Sequence, residues 1–159
     1  MGTNLRVIAP SRRKPLPGDV FVLQLPDESF IPGRVIAVDV VAAGFPGAIL
    51  IYIFRSREQQ PDVPPVESLR ATELLVPPIL TNRLPWSRGY FQTLANLPLV
   101  EGEVLSQHCF RSSQGRYFDE TATELPVPVE PCGDWSLQSF RTIDDQVSDA
   151  FWIPRAPDL

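Results

Sequence analysis

The chain has 159 residues, of which 43% are hydrophobic and 21% charged, with a net charge of −5. These values are ordinary for one soluble globular domain and allow a sizeable core. No stretch approaches the ~18 apolar residues of a membrane span, and residues 1–17 hold no apolar run of signal-peptide length, so the sequence predicts a cytoplasmic protein and no membrane partner.

Residues 1–17 read as an N-terminal leader, and 18–159 as a single β-rich domain. The leader's basic run, Arg12, Arg13 and Lys14, is too short to form a nucleic-acid patch. Residues 18–54 organise the rest. Three runs rich in β-branched and aromatic residues are separated by two groups of turn residues, the pattern of an antiparallel three-strand meander. Pro26, Asp27, Glu28 and Ser29 supply the first turn, and Gly44, Pro46 and Gly47 the second. Val20 and Val22 face one side of the first strand, and Phe21, Leu23 and Leu25 the other. Ile49, Ile51 and Ile53 likewise oppose Leu50, Tyr52 and Phe54, so both faces of the meander need covering. Pro32 and Gly33 interrupt the second strand and predict a kink there. The expected fold is mainly β, a meander curling into a small SH3-like half-barrel or a sandwich.

Eighteen prolines spread along the chain argue for many connections and few long helices. Residues 56–65 are a polar loop, and 66–74 predict a short helix, which Pro77 and Pro78 end or convert to an edge strand. Trp86 is expected to pack over the meander, followed by a strand over 90–94. Trp86 with Arg83 and Arg88 also admits a second reading, a groove of aromatic and guanidinium groups. Further strands are expected at 105–111 and 116–119, joined by a turn over 112–115. Residues 124–134 look irregular, and 135–140 predict another strand. A last helix is N-capped by Thr142, with Asp144 and Asp145 in its first turn. Ile143, Val147 and Phe151 form its buried stripe and Asp144, Asp145, Gln146, Ser148 and Asp149 its outward side.

The sequence offers little for a reaction. There is one histidine and there are two cysteines, neither cysteine in a Cys-x-x-Cys pair, so no metal-ligand set converges. His108 and Cys109 are neighbours on a predicted strand and point to opposite faces, which keeps them from sharing a proton. No nucleophile elbow, phosphate loop or dinucleotide fingerprint is present. No cofactor is expected. Cys109 and Cys132 are read as two buried thiols rather than a disulfide.

Charge is unevenly placed. Residues 117–152 carry eight acids and one base, a local charge of −7 that leaves +2 for the remainder. This is either a solvated acidic surface or a face that meets a basic partner, and it argues against nucleic acid as a ligand.

The opening Gly18-Asp19-Val20-Phe21-Val22 and the Gly33-Arg34-Val35 strand resemble the immunity protein 26 family of bacterial polymorphic-toxin systems. Pro85-Trp86-Ser87-Arg88-Gly89-Tyr90-Phe91 and Ser139-Phe140-Arg141-Thr142-Ile143-Asp144-Asp145 are similar to segments of its relatives. The resemblance implies a cytoplasmic protein that neutralises a cognate toxin domain by association, without catalysis. An SH3-like peptide-binding adaptor is the alternative, and a toxin gene beside this one would favour the first. The expected toxin-binding residues are Asp119, Glu120, Asp134, Asp144, Asp145 and Asp149 as steering charges, with Trp135 or Trp152 as apolar anchor. Arg83, Trp86 and Arg88 are the alternative groove.

Overall fold

The meander forms where the alternation places it. In the computed structural model, which describes residues 2–157, β1 (Asp19–Gln24), β2 (Phe30–Ala42) and β3 (Phe45–Ile53) pair antiparallel in sequence order. The first turn closes as its residues dictate. Leu25 N–H donates to Ser29 O at 2.8 Å, and Asp27 Oδ1 accepts from the Ser29 backbone at 3.0 Å and its hydroxyl at 2.6 Å. The second turn differs from the expected one. Ala42 pairs with Phe45, leaving only Ala43 and Gly44 between them, at φ 50° and 90°. Two successive positive φ values define the tight turn whose twist matches a hairpin. Pro46 and Gly47 instead lie inside β3, in the register shift between the Val40–Ala48 and Ala42–Phe45 pairs, where a missing ladder donor is tolerated.

The expected kink at Pro32 and Gly33 is also displaced. The β1–β2 register runs unbroken from Val20–Arg34 to Gln24–Phe30, and the β2 irregularities begin after Val35. Gly33 has a different purpose. A Cβ there would stand 2.4 Å from the Phe21 ring and 3.0 Å from Tyr52 O, so glycine lets the phenyl group lie flat on β2.

Two more strands complete the sheet in the order β4-β3-β2-β1-β5, with β4 at Ile79–Thr81 and β5 at Gln92–Asn96. Residues 66–74 form two short 3-10 turns, Val66–Leu69 and Ala71–Glu73, rather than one helix. Arg70 between them is extended, and of the two turns only Leu69 is buried. Pro78 leads into the edge strand β4. One helical turn, α1 (Leu84–Ser87), follows, and Tyr90 and Phe91 N–H both donate back to Pro85 O at 2.9 and 3.0 Å. That closure holds residues 90 and 91 out of the ladder, so β5 starts two residues later than its composition suggests.

Both faces of the meander are covered. On one, Phe21, Leu23, Leu25, Ile51 and Ile53 pack with Trp86, Phe91, Ile143 and Val147. On the other, Val20, Leu50, Tyr52 and Phe54 pack with Leu69, Leu80 and Phe110. Phe110 belongs to a second, smaller sheet of order β8-β7-β6-β9: β6 (Cys109–Arg111), β7 (Tyr117–Phe118), β8 (Glu124–Leu125) and β9 (Cys132–Asp134). Its β6–β9 pair is parallel and its other pairs antiparallel. The fold is thus mainly β, and the predicted 112–115 turn joins β6 to β7.

The strand expected over 135–140 does not form. Trp135 N–H donates to Arg111 O at 2.8 Å, Gln138 exchanges bonds with Leu80 and Thr81 on β4, and the chain enters α2 (Phe140–Ala150). The N-cap is Ser139, whose hydroxyl accepts from Thr142 N–H at 3.2 Å, not Thr142. The helix begins earlier than predicted, and Asp144 and Asp145 lie beyond its first turn. Residues 2–17 are laid along the domain: Leu5 is buried, Arg6 bridges to Gln24, and Ile8 N–H donates to Gly89 O at 2.7 Å.

Replacing Gly33 by alanine should lower the unfolding free energy by about 1–3 kcal/mol, the usual scale of core overpacking. Urea titration measures it. Adding Phe21→Leu should make the double variant lose less than the sum of the two single losses, because the ring is what the new methyl strikes.

Candidate functional site

The acidic segment 117–152 is spread over β7, β8, β9, their loops and α2, and its carboxylates have different fates. Asp144 sits on α2 beside the buried Val147 and Ser148 and is only 2% exposed. Its Oδ1 accepts from Leu5 N–H at 2.7 Å and its Oδ2 from Asn4 N–H at 3.0 Å, while Asn4 Nδ2 donates to Ser148 Oγ at 2.8 Å. The outward side expected for Asp144 and Ser148 is therefore corrected. Both face the N-terminal segment, because the buried Leu5 N–H and the half-buried Asn4 N–H need an acceptor there. A carboxylate with both oxygens engaged in this way is a docking post for residues 4 and 5.

Asp119 and Glu120 sit in the β7–β8 turn. Asp119 Oδ1 accepts from Thr121 N–H, the Thr121 hydroxyl and Thr123 N–H at 2.9, 2.7 and 3.0 Å. Burial pushes its carboxyl up, but the bonds from Thr121 and Thr123 outweigh that and hold it below the usual carboxylate range. Glu120 Oε2 bonds His108 Nδ1, and His108 Nε2 lies 2.6 Å from the Tyr52 hydroxyl, which in turn accepts from Leu105 N–H at 3.0 Å. A neutral imidazole with its proton on Nδ1 satisfies the whole chain: Leu105 donates to Tyr52, Tyr52 to His108, and His108 to Glu120. This relay ties β3 to the β7–β8 turn and engages both ring nitrogens of His108 internally. Burial pushes the Tyr52 phenol up to about 12.

Asp134 and Asp149 face water, and Asp145 does so in part. Asp134 is exposed at the end of β9. Asp149 accepts from Arg155 Nε and Nη2 at 3.0 and 2.7 Å, and the Arg155 bond holds its carboxyl below the usual range. Asp145 is half-buried, 3.8 Å from Arg155 Nη1. Of the two anchor candidates, Trp135 is half-buried and stacks on Phe118 with centroids 5.1 Å apart. Trp152 is 94% exposed and follows the α2 cap at φ 59°. The structure thus brings Asp145, Asp149 and Trp152 together at the end of α2 and leaves Asp119, Glu120, Asp134 and Trp135 on the second sheet.

The alternative groove resolves as core. Trp86 is 2% exposed, edge-on to Phe21 and Phe91 at 5.3 and 5.0 Å, so it lines no groove. Arg83 reaches Arg12 O at 3.0 Å, and the Arg88 guanidinium stands 6.0 Å from the Phe140 ring. Arg34, which the sequence marks only as part of the Gly33-Arg34-Val35 strand, is 1% exposed. It bonds Glu103 at 3.1 Å and the carbonyls of Gly18, Leu97 and Pro98 at 3.3, 2.8 and 3.3 Å. An arginine inside an otherwise apolar strand was the signal for it, since a buried guanidinium requires such partners. Among the described residues no three His, Cys, Asp or Glu side chains group to hold a metal ion, and no helix is long and apolar enough to cross a membrane.

The two-sided sheet with its covers defines a small, mainly β domain. The family model of immunity protein 26 matches residues 16–117, more than half of the chain. The chain belongs to the immunity protein 26 family. No curated protein and no solved structure matches it. The matched segment holds the meander, the Arg34–Glu103 pair, Trp86 and β6, and it ends before the acids of 119–149 begin.

The raised Tyr52 pKa has a consequence for alkaline stability. The folded protein holds the phenol proton more tightly than the unfolded chain, whose phenol titrates near 10. The stabilisation is therefore fully present below about pH 10 and is lost as pH rises towards about 12. Tyr52→Phe should be less stable than the native protein at pH 7, and the gap should narrow between pH 10 and 12. Thermal melts of both proteins across that range check this.

Proposed function

We propose that this protein binds a cognate toxin domain and neutralises it by association, with no reaction of its own. The family membership supports the class of function. The observation that carries the placement of the contact is Trp152. Its indole is 94% exposed and its φ is 59°, a left-handed conformation that a glycine would adopt far more easily. The ring gains nothing from burial within the chain, and the backbone carries strain. A partner that buries the indole offsets both. Tryptophan is among the commonest residues at the energetic centre of interfaces.

The charges around it suit a basic surface. Asp145 and Asp149 lie on α2, with Asp149 O accepting from Trp152 N–H, and the exposed Asp134 carries the same sign at the end of β9. Exposed charges of this kind mainly raise the rate of encounter, while an aromatic anchor mainly slows dissociation. Asp144, buried and bonded to residues 4 and 5, is given the role of holding the N-terminal segment rather than of touching the toxin. These residues lie beyond the family-matched segment, which fits a shared scaffold carrying a toxin-specific face.

A toxin gene found beside this one would supply the partner to test, and its absence would favour the peptide-binding adaptor. Changing Asp134, Asp145 and Asp149 together to lysine should slow association about tenfold or more at low salt and much less at high salt. An unchanged association rate in a folded triple variant would leave the acidic face as solvated surface.

Trp152→Gly separates function from folding. It should raise stability by about 0.5–1 kcal/mol through relief of the left-handed strain while weakening toxin affinity roughly tenfold or more through faster dissociation. Chemical denaturation and surface-bound kinetics report the two effects independently. Equal affinity for the native protein and the variant would remove Trp152 from the interface.

A further inference from the structure

We propose that Cys109 and Cys132 are a modification site, two thiols placed to close into a disulfide that straps β9 to β6. Both cysteines are free, and their sulfurs lie 3.1 Å apart. The positions are direct partners in the β6–β9 ladder, with Phe110 opposite Gly133 and Arg111 opposite Asp134 beside them. Neighbouring strands place paired Cα atoms about 5 Å apart, inside the range a disulfide spans without backbone movement. The sequence spacing gives no hint of this, since the two residues come together only through a parallel pair that encloses β7 and β8.

Access is one-sided. Cys109 is fully buried, and its sulfur also accepts from Val129 N–H at 3.4 Å. Cys132 is half-buried and lines an open cleft of about 240 Å³ with Pro77, Pro78 and Gln146. A small disulfide such as oxidised glutathione reaches Cys132 through that cleft. The Cys132 thiolate attacks one glutathione sulfur, forming a mixed disulfide and expelling one glutathione thiolate. The Cys109 thiolate then attacks the Cys132 sulfur, forming the protein disulfide and expelling the second. Two protein thiols are oxidised and one glutathione disulfide is reduced, and the two protons lost by the protein thiols are taken up by the two expelled glutathione thiolates, which leave as thiols.

Burial, followed by the bond to Cys109, pushes the Cys132 thiol up to about 12. Little thiolate exists at neutral pH, so closure is slow and accelerates as pH rises. That behaviour marks a strap formed under sustained oxidation rather than a fast sensor. Once closed, it joins the chain across the β7–β8 hairpin and fixes the β9 end that carries Asp134 and Trp135.

The native chain is incubated with oxidised glutathione at several pH values, then alkylated and weighed intact. The expected product has lost two hydrogens, carries no glutathione, resists alkylation at both cysteines and yields a cross-linked peptide joining Cys109 to Cys132. Its rate of formation should rise with pH, and its Tm should exceed that of the reduced protein by roughly 6–12 °C. Cys132→Ser, checked for folding by circular dichroism, should leave Cys109 unmodified because no other route reaches it. Separate glutathione adducts, cross-linked dimers, or two free thiols after prolonged oxidation at high pH would overturn the site. A disulfide that forms without raising Tm would overturn the strap.

Discussion

The structure depends on one constraint: the β1–β3 meander is apolar on both faces. A sheet buried on one side can leave the other in water, but Val20, Leu50, Tyr52 and Phe54 are as fully buried as Phe21, Leu23, Ile51 and Ile53. Each face therefore recruits its own cover, at roughly 25 cal/mol per Å² of apolar surface removed from water. Trp86, Phe91 and the α2 stripe cover one face, and Phe110 and Leu69 the other, where Leu80 of β4 extends the apolar surface. The C-terminal third supplies Phe110 to one cover and Ile143 and Val147 to the other, so it belongs to the core as much as the meander does.

The polar interior follows from the same two-sided burial. Where strands and loops meet under both covers, backbone groups and charges lose water and must find partners inside. Arg34 gathers three carbonyls and Glu103 at the end of the sheet where residues 97–103 return. Tyr52, His108 and Glu120 form a single-file chain through the second cover. Asp144 takes two backbone N–H groups from the N-terminal segment. Each is a cross-link between parts distant in sequence, 69 residues for Arg34 and Glu103 and 139 for Asp144 and Leu5. Buried polar links of this kind fix which loop lies where, more than they add net stability.

That internal use of charge changes what an acidic segment means. Of the acids in 117–152, Asp144 is sealed in, Glu120 serves His108, Asp119 closes a turn, and Glu124 pairs with Arg116 at 2.5 Å. The formal −7 overstates the field a partner would meet. The exposed remainder around Asp134, Asp145 and Asp149 is smaller and is partly compensated by Arg155. Trp152, by contrast, is left wholly outside, and its exposure and its backbone conformation make the end of α2 the part of the surface least explained by folding alone.

The sequence by itself determined the meander, the face assignments of its first and third strands, the 26–29 turn, the 112–115 hairpin, the core role open to Trp86 and the stripe Ile143–Val147. These follow from period and turn chemistry, which act between residues close along the chain. The resemblance in Gly18–Val22 and Gly33–Val35 was legible for the same reason, since those residues build the meander. Only the tertiary structure decided the rest. Ser139 displaces Thr142 as N-cap because Gln138, whose N–H donates to Leu80 O and whose carbonyl accepts from the Thr81 hydroxyl, sets where the helix can begin. Gly33 serves a phenyl ring from the neighbouring strand rather than a kink. Asp144 turns inward because Asn4 and Leu5 arrive there, and Cys109 meets Cys132 through a parallel pairing. Each of these depends on a group far away in the chain, and no local pattern records which distant group will lack a partner.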